Sequence, residues 1–298
     1  MQLTKNFVKA KNPCTSGYRW FLRDQQGSGD YQAVLDALVA AGRIDDACWL
    51  LDQFGPTDTV LELDELDAHA LIHAGTIRLR RGGLVDGMLR AGGGIVTAGG
   101  LRAGTLVAGG RIEARASVIS AGAIRCGGDL RAAWGVQAGT TLDCTGELRA
   151  QWEVSAGGDL NVGAMLRAGD SVQAGGLLKV GHGIKAGGDV QAGSDLLVAR
   201  GIEAGGDILA GDHLETGWGM RAGGAVRAGM AIRAGEGIDA GGDIVPGEGH
   251  GVYAGLRVRM DAWAVAARVR APRCAGPLLS GHWVVAEAEP EAEMADAR

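Results

Sequence analysis

Between residues 106 and 246 the apolar side chains fall into a six-residue register. Written in sixes from Ala121, the chain reads AGAIRC, GGDLRA, AWGVQA, GTTLDC, TGELRA, QWEVSA, GGDLNV, and so on to GGDIVP at Pro246. Place four is Ile, Leu, Val or Met in all twenty-one hexads, from Ile124 to Ile244, and place six is small or apolar, usually Ala. These two places share parity, so on an extended strand both side chains point to one face. Places three and five point the other way and are mostly polar, as in Asp129 with Arg131 and Glu147 with Arg149. Places one and two are rich in glycine, which suits a tight corner where a Cβ would collide or φ must be positive. Each hexad therefore predicts a short strand followed by a bend. The register runs back through Val118, Ile112 and Leu106, slips by one place before Leu101, and continues more weakly at Ile95, Leu89, Ile77 and Leu71.

A second period sets the size of the turn. GGDV at 187, GGDI at 205, GGAV at 223 and GGDI at 241 fall three hexads apart, as do GHGI at 181, ARGI at 199, GWGM at 217 and GEGI at 235. Three short sides per turn predict a mainly β fold, a single-stranded triangular β-solenoid. Eight turns over residues 101–246 would make a rod of roughly 38 Å at the usual strand spacing.

The flanks differ. Residues 1–66 predict a small helical cap domain: YQAVLDALVAAGRIDDACWLLDQFG reads as two helices broken at Gly42, with Val34, Leu35, Leu38, Val39, Ile44, Cys48 and Leu51 as their apolar positions. Thr4 and Thr15 mark two shorter helices before them, and Cys14 and Cys48 are expected in the helical core. Docked on the first coil, such a cap would cover strand edges that could otherwise pair with another molecule. The solenoid is expected over 67–285, regular from 101 to 246 and irregular from 247 to 285. The tail 286–298, AEAEPEAEMADAR, is acidic and is expected to be disordered.

Composition narrows the function. Glycine is abundant, 53 of 298 residues, but six prolines and no G-X-Y triplet exclude collagen. Aromatics make up 4%, which fits a narrow interior. A net charge of −6 gives no general basic footprint for nucleic acid. No run approaches the ~18 apolar residues of an integral membrane segment, and the N-terminus lacks a secretory h-region. Five scattered cysteines do not read as a disulfide framework. A reducing, cytoplasmic setting follows as the expectation.

The run of hexads with GGDI corners resembles the bactofilins, bacterial polymer-forming proteins built on a triangular β-helix, over about residues 70–246. That resemblance implies end-to-end self-association. The helical N-terminal region departs from it, since a bactofilin has only a short tail there. NPCTSGYRWF and DACWLLDQFG look like a helical module of bacterial repeat proteins.

Candidate chemistry is sparse. Hexapeptide acyltransferases place a small residue four after the aliphatic one; here it falls two after, and no insertion carrying a catalytic His interrupts 106–246. His182 and His213 lie within hexads and should be exposed. GGxxxAG lacks the Lys-Ser/Thr of a phosphate loop. Asp189 and Asp207 stack on neighbouring coils with Asp243 beyond, a carboxylate ladder that reads as a solvated corner in preference to a Ca²⁺ site. Cys126 and Cys144 occupy inward places as small core residues. No cofactor or metal motif emerges.

Partner-binding candidates remain. Arg131, Arg149, Arg167 and Lys185 recur once per predicted coil and could offer a basic stripe to an acidic partner, although Asp129 and Glu147 sit two places before the first two. Trp134 and Trp152, one coil apart at a corner, form the strongest candidate contact, with Trp218 as a weaker companion. The expectation is a non-enzymatic solenoid that displays rigid ladders to another protein, a class that includes toxin-neutralising immunity proteins. The alternative is a polymer-forming subunit, and an acyltransferase is disfavoured.

Overall fold

Three-residue strands follow one another at six-residue intervals, as in Leu130–Ala132, Val136–Ala138 and Leu142–Cys144. Each pairs in parallel with the strand one turn on: Leu130 lies opposite Leu148, Val136 opposite Val154 and Leu142 opposite Leu160. Three flat faces result, here the first, second and third in that order. The computed structural model describes residues 1–285; the acidic tail expected to be disordered, 286–298, lies outside the described residues. The first face is a 13-stranded parallel sheet from Val60–Leu63 to His282–Val285, so the solenoid makes about twelve turns. At ~4.8 Å per coil the rod is about 58 Å long. It exceeds the eight turns of strict register because Leu71, Ile77, Leu89 and Ile95 also belong to paired strands.

Places four and six line one continuous apolar core. Leu130, Leu142 and Leu148 have no exposed surface, and Ala132 and Ala150 are buried beside them. Burying each large aliphatic side chain contributes roughly 1.5–3 kcal/mol, which offsets the entropy of ordering a glycine-rich chain. The single-place slip has a simple cause. Leu101 pairs with Val118 but Leu106 pairs with Ile124, and the strand Leu101–Ala108 runs across two faces with no separate corner between them.

The corners explain the glycines. None of the glycines between 101 and 246 has positive φ, so that part of the expectation is corrected; the cause is contact. A Cβ on Gly205 would lie 2.1 Å from the carbonyl oxygen of Gly187. Backbone bonding continues through the bend: Gly205 N–H donates to Ala186 O at 3.1 Å and Gly206 N–H to Gly188 O at 3.1 Å. At several corners the place-three amide is satisfied by a side chain of the previous coil. Asp207 N–H donates to Asp189 Oδ1 at 2.8 Å, and Ala225 N–H to Asp207 Oδ1 at 2.7 Å. Asp129, Asp159 and Asp195 serve Glu147, Leu177 and His213 in the same way. The carboxylate in turn occupies space above the next corner, where a Cβ on Gly206 or Gly224 would meet it at 2.0 Å. Asp189 and Asp207 therefore hold the backbone of adjacent coils, while Asp243 pairs with Arg273 at 2.7 Å.

The N-terminal unit contains α1 (Lys5–Lys9), α2 (Thr15–Asp24), α3 (Tyr31–Ala40) and α4 (Ile44–Phe54). Thr4 caps α1 as expected, but α2 is capped by Cys14 Sγ, which accepts from Gly17 N–H at 3.2 Å, and not by Thr15. Cys14 is thus exposed at a helix start and not in the core, and Cys48 is half-buried. Gly42 and Gly55 end α3 and α4 with φ of 69° and 76°. A short antiparallel pair, Gln2–Thr4 with Ser28–Asp30, was not legible in the sequence.

This unit docks on the third face at the first turn. Ile72 points outward there yet is fully buried against the helices, and Arg90 pairs with Asp52 of α4. The Gln32 carboxamide takes the place of a missing neighbouring strand: its Nε2 donates to Ile72 O at 3.0 Å and its Oε1 accepts from Ala74 N–H at 2.9 Å. At the other end, strands persist at Val252–Tyr253, Arg268–Ala271, Leu278–Ser280 and His282–Val285. Ile238 pairs with Val269, well beyond the regular coil step that would reach Leu256, so an excursion around α5 (Trp263–Ala266) leaves the coil.

Two outcomes test these contacts. Asp207→Ala strands the buried Ala225 amide and should cost about 1–3 kcal/mol in urea unfolding, while Asp207→Asn, which keeps an acceptor oxygen, should cost less. Gln32→Ala should speed hydrogen exchange at the Ala74 amide and leave that of Ala204, far along the rod, unchanged.

Candidate binding surface

Because strands stack in register, each outward place forms a column along the rod. On the first face Arg131, Arg149, Arg167 and Lys185 do stack, followed by Glu203, Arg221 and Asp239. Like charges at this spacing repel unless compensated, and here they are compensated. Arg131 pairs with Asp129 at 3.1 Å, Lys185 with Glu203 at 3.0 Å, and Arg221 with Asp239 at 3.7 Å. Glu147 reaches forward to Arg167 at 3.3 Å and not to Arg149. Among the described residues only Arg149 of the four basic candidates has no carboxylate partner, so the column is a neutralised ladder and not an open basic stripe.

The tryptophans occupy two different corners. Trp134 and Trp152 follow strands of the first face and lie at its edge with the second, while Trp218 precedes a first-face strand at the opposite edge. The Trp134 and Trp152 rings stack with centroids 5.8 Å apart and planes 12° from parallel. They remain 51% and 60% exposed in a regular rod whose place-four aliphatic side chains are buried. Trp218 already has a companion: the Arg200 guanidinium, one coil earlier in the same column, lies 5.3 Å from its ring centroid. The structure therefore separates Trp218 from the pair that it was expected to accompany.

Beside Trp152 a shallow hollow of about 180 Å³ opens on the second face, lined by Ser117, Ile119, Gln137, Glu153 and Ser155. A larger groove of about 520 Å³ runs beneath the excursion on the first face, bounded by Gly219, Gly237, Arg221, Asp239, Val265 and Arg270. Sequence reasoning missed this groove. Half of its signal was present, since Gly183, Gly201, Gly219 and Gly237 repeat once per coil at place three and leave a lane without side chains. The other half required knowing where the excursion would fold.

The remaining candidates have structural surroundings. Cys126 and Cys144 are buried on adjacent coils, and both thiols contact Gly128 O, at 3.4 and 3.3 Å. Hydrogen bonding with Cys126, together with burial, pushes the Cys144 thiol far above the ordinary range, which keeps it protonated. His182 is exposed, whereas His213 is half-buried with its ring 6.3 Å from that of His250. Among the described residues no helix is long and apolar enough to cross a membrane.

No curated protein and no solved structure matches the chain. The family model of the YdhT N-terminal domain matches residues 1–55. That match covers the four helices through Gly55 and stops before the first solenoid strand at Val60, so the helical module is similar to a recognised domain and the rod is described by its geometry alone.

Proposed function

We propose that this chain is a non-enzymatic display rod that binds another protein, with Trp134 and Trp152 as the centre of contact. One observation carries the reading: two large indoles, more than half exposed, are held ring against ring at a corner that the coil stacking makes rigid. Exposed aromatics that are already immobile anchor interfaces well, because little ordering entropy remains to be lost on binding. The helical unit docks on the first turn of the third face, well away from this corner. A polymer-forming role like that of the bactofilins is the second reading. What favours it is the strand His282–Val285, which has a neighbour on one side only among the described residues. What opposes it is Gln32, whose carboxamide fills the backbone positions a further strand would need on the third face at the other end of the rod. Val60–Leu63 and Leu66–Ala68 of the other two faces there, however, also have a neighbour on one side only among the described residues.

Light scattering on the full chain should give a stable monomer or dimer; growth with concentration into filaments would favour the polymer instead. Recovery of bound protein on the tagged full-length chain should fall about tenfold or more in the double variant Trp134→Ala/Trp152→Ala, without loss of melting temperature. Unchanged recovery would remove this corner from the interface.

A further inference from the structure

The surroundings of the Trp134–Trp152 pair point to the chemistry of its partner. We infer that this corner receives a basic, arginine- or lysine-bearing polypeptide segment. The inference rests on the preceding reading of the corner as a protein contact and adds the sign of the partner's charge.

The column that contains the two indoles continues, one coil later, with Asp170. Next to Trp152 in the chain is Glu153, and Asp189 lies one coil beyond Asp170 at the same edge. All three carboxylates are exposed. Among the described residues none has a Lys, Arg or His nitrogen within 4.0 Å, in contrast to the carboxylates of the first face. Asp170 accepts only from the neighbouring Ser171 hydroxyl, and Asp189 from the Asp207 amide. The three charges fall within about two coil spacings, ~10 Å, where their fields add.

The adjoining second face has no cation to answer them. Its outward positions from Ser117 to Gln191 include Gln137, Ser155, Gln173 and Gln191 but no Lys or Arg. Over the second face an acidic peptide or a nucleic acid would meet only carboxylates and neutral groups, and the unpaired Arg149 lies on the first-face side of the corner. A guanidinium or ammonium group can instead lie against an indole and reach a carboxylate from the same position. The chain shows the indole half of this arrangement at another exposed corner, where Arg200 lies against Trp218. At the Trp134–Trp152 corner the column holds Ala116 one coil before the pair and Asp170 one coil after it, and the cation is left for another molecule to supply. The hollow of about 180 Å³ beside Trp152, lined by Gln137 and Ser155, gives an extended backbone hydrogen-bonding groups to follow.

The test is calorimetric titration of the full-length protein with three probes: a short synthetic peptide of alternating Arg and Ser, its Glu and Ser counterpart, and a neutral soluble oligosaccharide. The Arg peptide should bind, more weakly as salt is raised, and the other two should not. Its affinity should fall about tenfold or more in Trp134→Ala/Trp152→Ala. It should also fall in Glu153→Gln/Asp170→Asn, while Glu215→Gln, which removes a charge on the third face, should leave it unchanged. Melting curves establish that each variant is folded. Equal binding of the Arg peptide by the double tryptophan variant would overturn the inference, as attraction to a net-negative chain would then suffice. So would a failure to bind the Arg peptide, or a preference for the Glu peptide or the oligosaccharide. A native partner lost on tryptophan substitution but indifferent to Glu153→Gln/Asp170→Asn would leave the corner as a contact and overturn only its cationic specificity.

Discussion

Coils stacked in register at ~4.8 Å put almost every residue of the regular rod directly against the residues one turn before and one turn after it. Everything else about this protein follows from that closeness. It forbids a Cβ at many corners, where a carbonyl oxygen of the previous coil occupies the space. It brings the thiols of Cys126 and Cys144 onto one carbonyl and the rings of Trp134 and Trp152 onto each other. It also turns a single repeated arginine into a column of repelling charges that the chain must neutralise.

The chain neutralises that column by breaking its own repeat. After Arg131, Arg149, Arg167 and Lys185 the first face turns to Glu203, Arg221 and Asp239, and ion pairs form across coils. Exposed pairs of this kind contribute only about 0–1 kcal/mol each. Their value here lies in removing a penalty in the folded rod. The aspartates at place three do more, since they hold backbone amides that the coil-to-coil ladder leaves out.

The solenoid was legible because its physics is periodic. Ile124, Leu130 and Val136 announce their inward direction through spacing alone, and the structure buries them. The purpose of Asp207 was less legible: its partner is the amide of Ala225, and a main-chain donor carries no residue letter. Even so, a trace existed in the glycines that stand one place short of a full coil after Asp129, Asp159, Asp189 and Asp207, namely Gly146, Gly176, Gly206 and Gly224. Trp218 shares hexad place two with Trp134 and Trp152, but whole coils counted from Trp152 reach Asp170, Gly188, Gly206 and Gly224, so the coil spacing already set Trp218 at a different corner. Gln32 and the excursion around α5 have no periodicity to betray them.

The Gln32 contact has a further consequence for how such a chain can change. The helical unit is fastened to the first turn by side chains, and the excursion belongs to the last turns. Between them, insertion or loss of one whole coil leaves every column continuous and both ends untouched. The distance from the helical unit to the tryptophan corner can therefore be reset in steps of about 4.8 Å by duplication of a short stretch of coding sequence. In that respect the rod is a ruler, with the helical unit at its zero mark.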